Sequence, residues 1–161
     1  MIRNFTIAAA LAIMPGVVAA QSATTPASYV AQAGASDLYE RQSSQLVLGS
    51  TQDPKIRQFA NQMIGHHTKS TRDVTAAARQ AGVRVAPPKL NAEQARNMAA
   101  LRRAGGTARD QLYVQQQRAS HDQALALHKS YAANGTSAPL KATAAAIAPV
   151  VQTHITELQA M

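Results

Sequence analysis

The chain contains no cysteine in its 161 residues. It therefore has no disulfide, no thiolate ligand for a metal, no iron–sulfur cluster and no attached c-type haem. Stability has to come from the packing of apolar side chains. A chain of this length can bury a sufficient core for one domain without covalent help.

Aromatic residues are scarce as well. Phe, Trp and Tyr together make up 4% of the chain, tryptophan is absent, and β-branched runs are missing. Alanine and glutamine, by contrast, are abundant. Because both residues are good helix formers, the composition predicts an all-α fold.

Acidic residues are few: 8 Asp and Glu stand against 16 Lys and Arg, which gives a formal net charge of +8. A basic exported protein can meet an anionic surface of the cell envelope, which makes such a surface a candidate partner. The basic residues are scattered, and no basic stripe alternates with aromatic residues. Nucleic acid is therefore not expected as a partner, and a solvated basic surface explains the charge.

The amino terminus has the pattern of an export signal. Arg3 precedes an apolar run from Phe5 to Met14, and the small residues Val18 and Ala20 stand where signal peptidase requires them. We predict that residues 1–20 are a cleaved signal peptide, with cleavage after Ala20. The mature protein is then periplasmic or secreted.

The rest of the chain divides into a short leader and one domain. We expect residues 21–25 to be disordered and residues 26–161 to form the domain. The apolar run of the signal is shorter than the roughly 20 residues that a spanning helix needs, so residues 1–20 are interpreted as a cleaved signal and not as a membrane anchor. No membrane span is expected in the mature chain either.

Four long helices are predicted from hydrophobic periodicity and from cap residues. Asp53 is placed to cap the second helix, with Pro54 at its first position. A shorter helix capped by Asn91 and an extended Pro87-Pro88 segment fill the connection between the second and third long helices. The predicted helices are Pro26–Leu48, Pro54 to about Gly82, Ala92–Ala104, Thr107–Ala133, and Ala138 to the carboxyl terminus.

Each long helix carries a polar residue in its core-facing stripe. These residues are Glu40, His67, His121 and His154. At about 1.5 Å of rise per residue, all four fall within one or two turns of the same level, whichever way the third long helix runs. A four-helix bundle would bring them together in its interior.

Two interpretations of this convergence remain open. In the first, three imidazoles and one carboxylate bind a single divalent metal ion (zinc, copper, iron or manganese). In the second, the same residues form a metal-free cluster in which Glu40 accepts hydrogen bonds from one or more histidines.

The segments SDLYERQSSQLVL, IRQFANQMIGHHTKST, SHDQALALHKSY and APVVQTHITEL resemble, in this order, the bacterial exported family known as domain of unknown function 4142. The resemblance implies a ferritin-like four-helix bundle. The motif positions of the family fall on Glu40, His67, His121, Pro149 and His154. The chain departs from the family in one place, because His66-His67 stands where the family usually has Asp-His.

Other residues are weaker candidates. His66 lies beside the stripe and is interpreted as a surface residue, and His128 as a residue near the end of the bundle. Met63 is expected to fill the core, Asp122 to be solvated, and Glu157 to be an exposed carboxylate rather than an orienting partner of His154.

Several activities lack the residues they need. Di-iron bundles use Glu-x-x-His motifs, and the chain has none, which excludes the usual dinuclear site. No nucleophile elbow and no glycine-rich phosphate loop occurs, so neither a hydrolase nor nucleotide binding is supported. Three hypotheses remain: an exported metal-binding protein, a non-catalytic envelope or stress-associated interaction protein, and a redox enzyme with one metal ion.

Overall fold

A computed structural model describes residues 24–161 of the chain. The predicted signal peptide and most of the predicted leader lie outside the described residues. Between residues 24 and 161 the chain forms five helices and no strand: α1 Pro26–Leu48, α2 Pro54–Gln80, α3 Ala92–Arg103, α4 Gly106–Asn134 and α5 Ala138–Gln159. The prediction of an all-α fold is confirmed.

Capping residues fix where the first two helices begin. The Thr25 side chain accepts a hydrogen bond from the Ser28 amide, and Pro26 occupies the first turn of α1. The Asp53 carboxylate accepts from the amides of Lys55 and Ile56 at the start of α2. Each cap satisfies amide groups that have no partner within the helix.

The four long helices contact one another in the cyclic order α1, α2, α5, α4. Neighbours run antiparallel, because short turns join α1 to α2 and α4 to α5 and hydrogen bonds show the direction of the other two pairs. The start of α1 meets the end of α4 through Tyr29 and His128, while the start of α2 meets the end of α5 through Gln62 and Glu157. Helices α2 and α4 therefore run in the same direction, which the sequence left undecided.

The connection between α2 and α4 has to return along the bundle because these two helices run in the same direction. It contains an extended segment over residues 83–91 and then α3, as predicted. The buried Met98 and Leu101 anchor α3 against α1 and α4. One long crossover is also the connectivity of ferritin-like bundles, although assignment to that class stays a prediction.

The core is apolar at both ends and polar in the middle. One apolar cluster includes Tyr29, Val74 and Leu140, and the other includes Phe59 and Tyr113. Between them lies a layer of buried polar side chains, namely Asp37, Glu40, Gln117, His67, His121 and His154. None of the helices within residues 24–161 combines the length and hydrophobicity needed to cross a membrane.

Candidate metal centre

Three helices each contribute one histidine to the centre of the polar layer. They are His67 of α2, His121 of α4 and His154 of α5. One ring nitrogen of each lies within 4.8 Å of one ring nitrogen of the others, and none of the three residues is more than 5% exposed. The structure thus brings together three of the four predicted residues.

The ring of His121 packs edge to face against those of His67 and His154, whereas the rings of His67 and His154 are tilted by 49° to each other. The Nε2 of His121 lies 3.2 Å from the Nδ1 of His154, and the ring centroids of His67 lie 5.7 and 5.8 Å from those of His121 and His154. The ring of Phe59 closes one side, with its centroid 6.1 and 6.2 Å from those of His121 and His154. An apolar wall of this kind restricts the approach of water.

The fourth predicted residue, Glu40, is buried next to the three histidines but does not join their convergent nitrogens. Its Oε1 accepts a hydrogen bond from the Ser120 hydroxyl at 2.7 Å and lies 3.9 Å from the Nδ1 of His121. Glu40 therefore faces the edge of His121 opposite the Nε2 atom. Its Oε2 is buried and has no hydrogen-bond partner among the described residues.

His67 is oriented by Asp37 on α1. Its Nδ1–H donates to Asp37 Oδ1 at 2.8 Å, and Asp37 Oδ2 accepts from the Thr71 hydroxyl at 3.0 Å. Burial lowers the pKa of His67, but the hydrogen bond and charge of Asp37, with the charge of Glu40, outweigh burial and raise it above its ordinary value. The Nε2 of His67 is buried and has no partner among residues 24–161.

His121 is oriented by its own helix. Its Nδ1 lies 2.9 Å from the backbone oxygen of Gln117, one turn earlier. A carbonyl oxygen can only accept, so Nδ1 carries the proton, and the Nε2 of the neutral ring holds the lone pair. Burial lowers the pKa of His121, which keeps the ring neutral.

His154 is neutral as well. Burial and the neighbouring imidazoles lower its pKa to about 2. Besides His121, it contacts His66, whose Nδ1 lies 2.8 Å from the His154 Nε2, with the two ring planes 19° apart and their centroids separated by 5.1 Å. His66 is exposed, as predicted, but the sequence interpretation missed this contact.

The structure also places the weaker candidates. His128 is buried away from the three histidines, and its Nδ1 and the Tyr29 hydroxyl form a hydrogen bond of 3.0 Å. Glu157 accepts from Gln62 and not from His154. Met63 fills the core, and Asp122 is exposed, as predicted.

Two residues that orient ligands were missed at the sequence level. Asp37 lies in the same stripe of α1 as Glu40, and this was the signal available for it. The backbone oxygen of Gln117 gives no sequence signal, because every helical residue four positions before a histidine offers the same group.

The residues present fit a metal ion by several measures. Metal–nitrogen bonds of 2.0–2.1 Å in tetrahedral geometry separate ligand nitrogens by about 3.4 Å, close to the observed spacing of His121 and His154. Metal-binding histidines commonly donate their second ring N–H to a carboxylate or a backbone carbonyl, as His67 and His121 do here. The unpartnered Nε2 of His67 is a further feature that a metal ligand explains.

Comparisons with known proteins agree with the helical fold. The sequence profile of the family described as "Domain of unknown function (DUF4142)" matches residues 14–161. A crystal structure of a DUF305 protein from Streptomyces coelicolor is similar, with a TM-score of 0.68 and 15% sequence identity, over 85% of this chain and 90% of that one. At this identity the likeness shows the fold alone. No match was found among curated proteins.

Proposed function

The chain belongs to the DUF4142 family, and we propose that it is an exported four-helix-bundle protein that binds one divalent transition-metal ion in its core. The ligands are His67, His121 and His154. The observation that carries the proposal is the convergence of three buried imidazoles, one of which has an Nε2 atom with no partner among the described residues. A buried polar atom without a partner is costly unless a ligand satisfies it.

The donor set narrows the kind of ion. Imidazole nitrogen suits zinc, copper and iron, whereas manganese prefers oxygen ligands, and the chain offers no thiolate. Zinc, copper or iron is therefore favoured over manganese. When bound, such an ion would supply a localised positive charge and Lewis acidity at the centre of the bundle.

Two buried carboxylates favour a cation at this position. Asp37 contacts His67 directly, and Glu40 lies against His121. In the weakly polar interior their negative charges are poorly screened, so a divalent cation between the rings lowers the electrostatic energy. In this proposal Glu40 contributes its charge to the site without being a ligand, which modifies the four-ligand set expected from the sequence.

Export is the part of the proposal that rests on the sequence. The amino-terminal pattern of a basic residue, an apolar run and a small-residue cleavage site supports secretion, either to the periplasm or beyond the cell. An oxidising compartment is compatible with a chain that has no cysteine. The ferritin-like class is supported by the single long crossover.

A metal-free polar cluster is the second candidate, as in a non-catalytic envelope or stress-associated protein. The observation that favours it is the set of direct imidazole contacts, His66 to His154 and His154 to His121, which close without an ion. It leaves the Nε2 of His67 unsatisfied, so the metal-binding function explains more of the site. A redox enzyme with one metal ion would require these same ligands.

Elemental analysis of the native protein tests the proposal. The chain is purified from the periplasm or medium without a histidine tag, beside the variant His154→Ala. We expect a stoichiometric transition metal in the wild type and its loss in the variant. A wild type that holds no metal, and takes up neither Zn²⁺ nor Cu²⁺ with any change in melting temperature, would show that the cluster is structural.

A further inference from the structure

The orientation of His154 is decided outside the three-histidine cluster. His67 and His121 each have one ring nitrogen bonded to a group that can only accept, Asp37 and the Gln117 backbone oxygen, so their tautomers are fixed. Among residues 24–161, His154 has no such partner. Both of its ring nitrogens face other imidazoles, which can either donate or accept.

Two hydrogen-bond arrangements of His154 are therefore available. In one, His66 Nδ1–H donates to His154 Nε2, and His154 Nδ1–H donates to the lone pair of His121 Nε2. This arrangement satisfies the metal-free site, but it points a proton, not a lone pair, into the cluster.

In the second arrangement His154 carries its proton on Nε2 and donates it to His66 Nδ1, 2.8 Å away. Its Nδ1 lone pair then points toward His121 at 3.2 Å. Two lone pairs at this distance repel each other unless a cation lies beside both. The second arrangement is thus suited to a bound metal ion.

We propose that His66 is the residue that positions His154 in the metal centre, because it accepts the Nε2–H of His154 and so presents the His154 Nδ1 lone pair to the ion. This inference rests on the proposed metal-binding function. It gives the exposed His66 the role that Asp37 has for His67 and the Gln117 backbone oxygen has for His121.

The surroundings of His66 allow it to change between donor and acceptor. Its ring lines a groove of about 590 Å³ between α2 and α5, together with Ser70 and Ile147. A solvent-exposed ring can be neutral in either tautomer, because water can pair with the ring nitrogen that does not face His154. His154 is only 1% exposed, so the partner of its Nε2 is His66.

A matched set of variants isolates the acceptor. In His66→Asn the side-chain oxygen can occupy the position of Nδ1 and accept a hydrogen bond, whereas His66→Leu places a methyl group there. Thr68→Leu, an exposed change on the same helix, is the control. Each untagged protein is checked for helix content and then titrated with Zn²⁺ in competition with a chromophoric chelator.

We expect His66→Leu to raise the Kd for zinc by about 10–100-fold, with His66→Asn within about threefold of the wild type and Thr68→Leu unchanged. Nitrogen-15 NMR of the wild-type rings should place the His154 proton on Nε2 in the zinc-loaded protein. Wild-type affinity in His66→Leu, or equal losses in the Leu and Asn variants, would overturn the inference. A wild type that takes up neither Zn²⁺ nor Cu²⁺ would instead overturn the proposed metal-binding function, on which this inference rests.

Discussion

His121 and His128 lie seven residues apart in one stripe of α4, and both are almost completely buried. His128 has a dedicated partner, the Tyr29 hydroxyl, and lies in the apolar cluster at one end of the bundle. His121 instead presents its lone pair toward another histidine in the central polar layer. A histidine in a core position of a helix therefore does not by itself indicate a metal site.

The two histidines differ in the hydrogen-bond partners of their ring nitrogens. Burial raises the pKa of Tyr29 far above its ordinary range, and the Asp37 charge adds to this, so its hydroxyl stays protonated and is available to donate to His128. Within the described residues, the Nε2 atom of His121 has the imidazole of His154 as its one hydrogen-bond partner. Three experiments test this difference, beginning with the largest expected effect.

Replacing each histidine by asparagine should separate their roles in metal binding. In His121→Asn the amide can still donate to the Gln117 oxygen, but no atom remains at the Nε2 position. We expect the Zn²⁺ affinity to fall by more than the 10–100-fold that loss of an outer partner costs. The matched variant His128→Asn should bind zinc as the wild type does, measured by chelator competition. Equal losses in both variants would contradict the distinction.

The lowered pKa of the buried His128 should be visible in the pH dependence of the free energy of unfolding. Burial lowers the pKa of His128 to about 4, below its ordinary value of 6.5. As the pH falls, His128 is therefore protonated in the unfolded chain before it is protonated in the folded protein. Its contribution to the free energy of unfolding is fully present above pH 6.5 and is lost as the pH falls toward 4.

The variant His128→Asn removes this titration and retains an oxygen that can accept from Tyr29. Between pH 7 and pH 4, the free energy of unfolding of the wild type should fall by up to about 3 kcal/mol more than that of the variant. Urea unfolding of the metal-free proteins at several pH values measures the difference. If the free energies of unfolding of the two proteins changed in parallel across this interval, the pKa of His128 would be the same in the folded and unfolded states, which would contradict the prediction.

The smallest effect is expected for Tyr29→Phe, which removes the donor to His128 and leaves a buried acceptor without its partner. The free energy of unfolding should fall by about 1–3 kcal/mol at neutral pH, while zinc affinity stays unchanged. Urea unfolding in the presence of a chelator, with a separate zinc titration, gives both quantities. A change in zinc affinity would mean that the two regions are coupled.

The arrangement of the site could be predicted from the sequence only in part. The depth of His67, His121 and His154 follows from helix starts and from a fixed rise per residue, and their convergence agrees with that prediction. The same reasoning placed Glu40 among the ligands, and the structure places it beside them. The level of each side chain along the bundle was predictable because it depends on the number of residues from the start of the helix. The neighbour toward which the side chain points depends on how the helices pack.

The sequence by itself determined the all-α class, the long helices with their caps at Asp53 and Asn91, and the polar level of the core. Local hydrogen bonding and hydrophobic periodicity carry that information. Only the tertiary structure decided that Asp37 meets α2 while Glu40 meets α4, and that His66 reaches α5. Each long helix packs against two others at once, so residues a short rotation apart meet different partners, and which partner each meets depends on how the bundle is assembled.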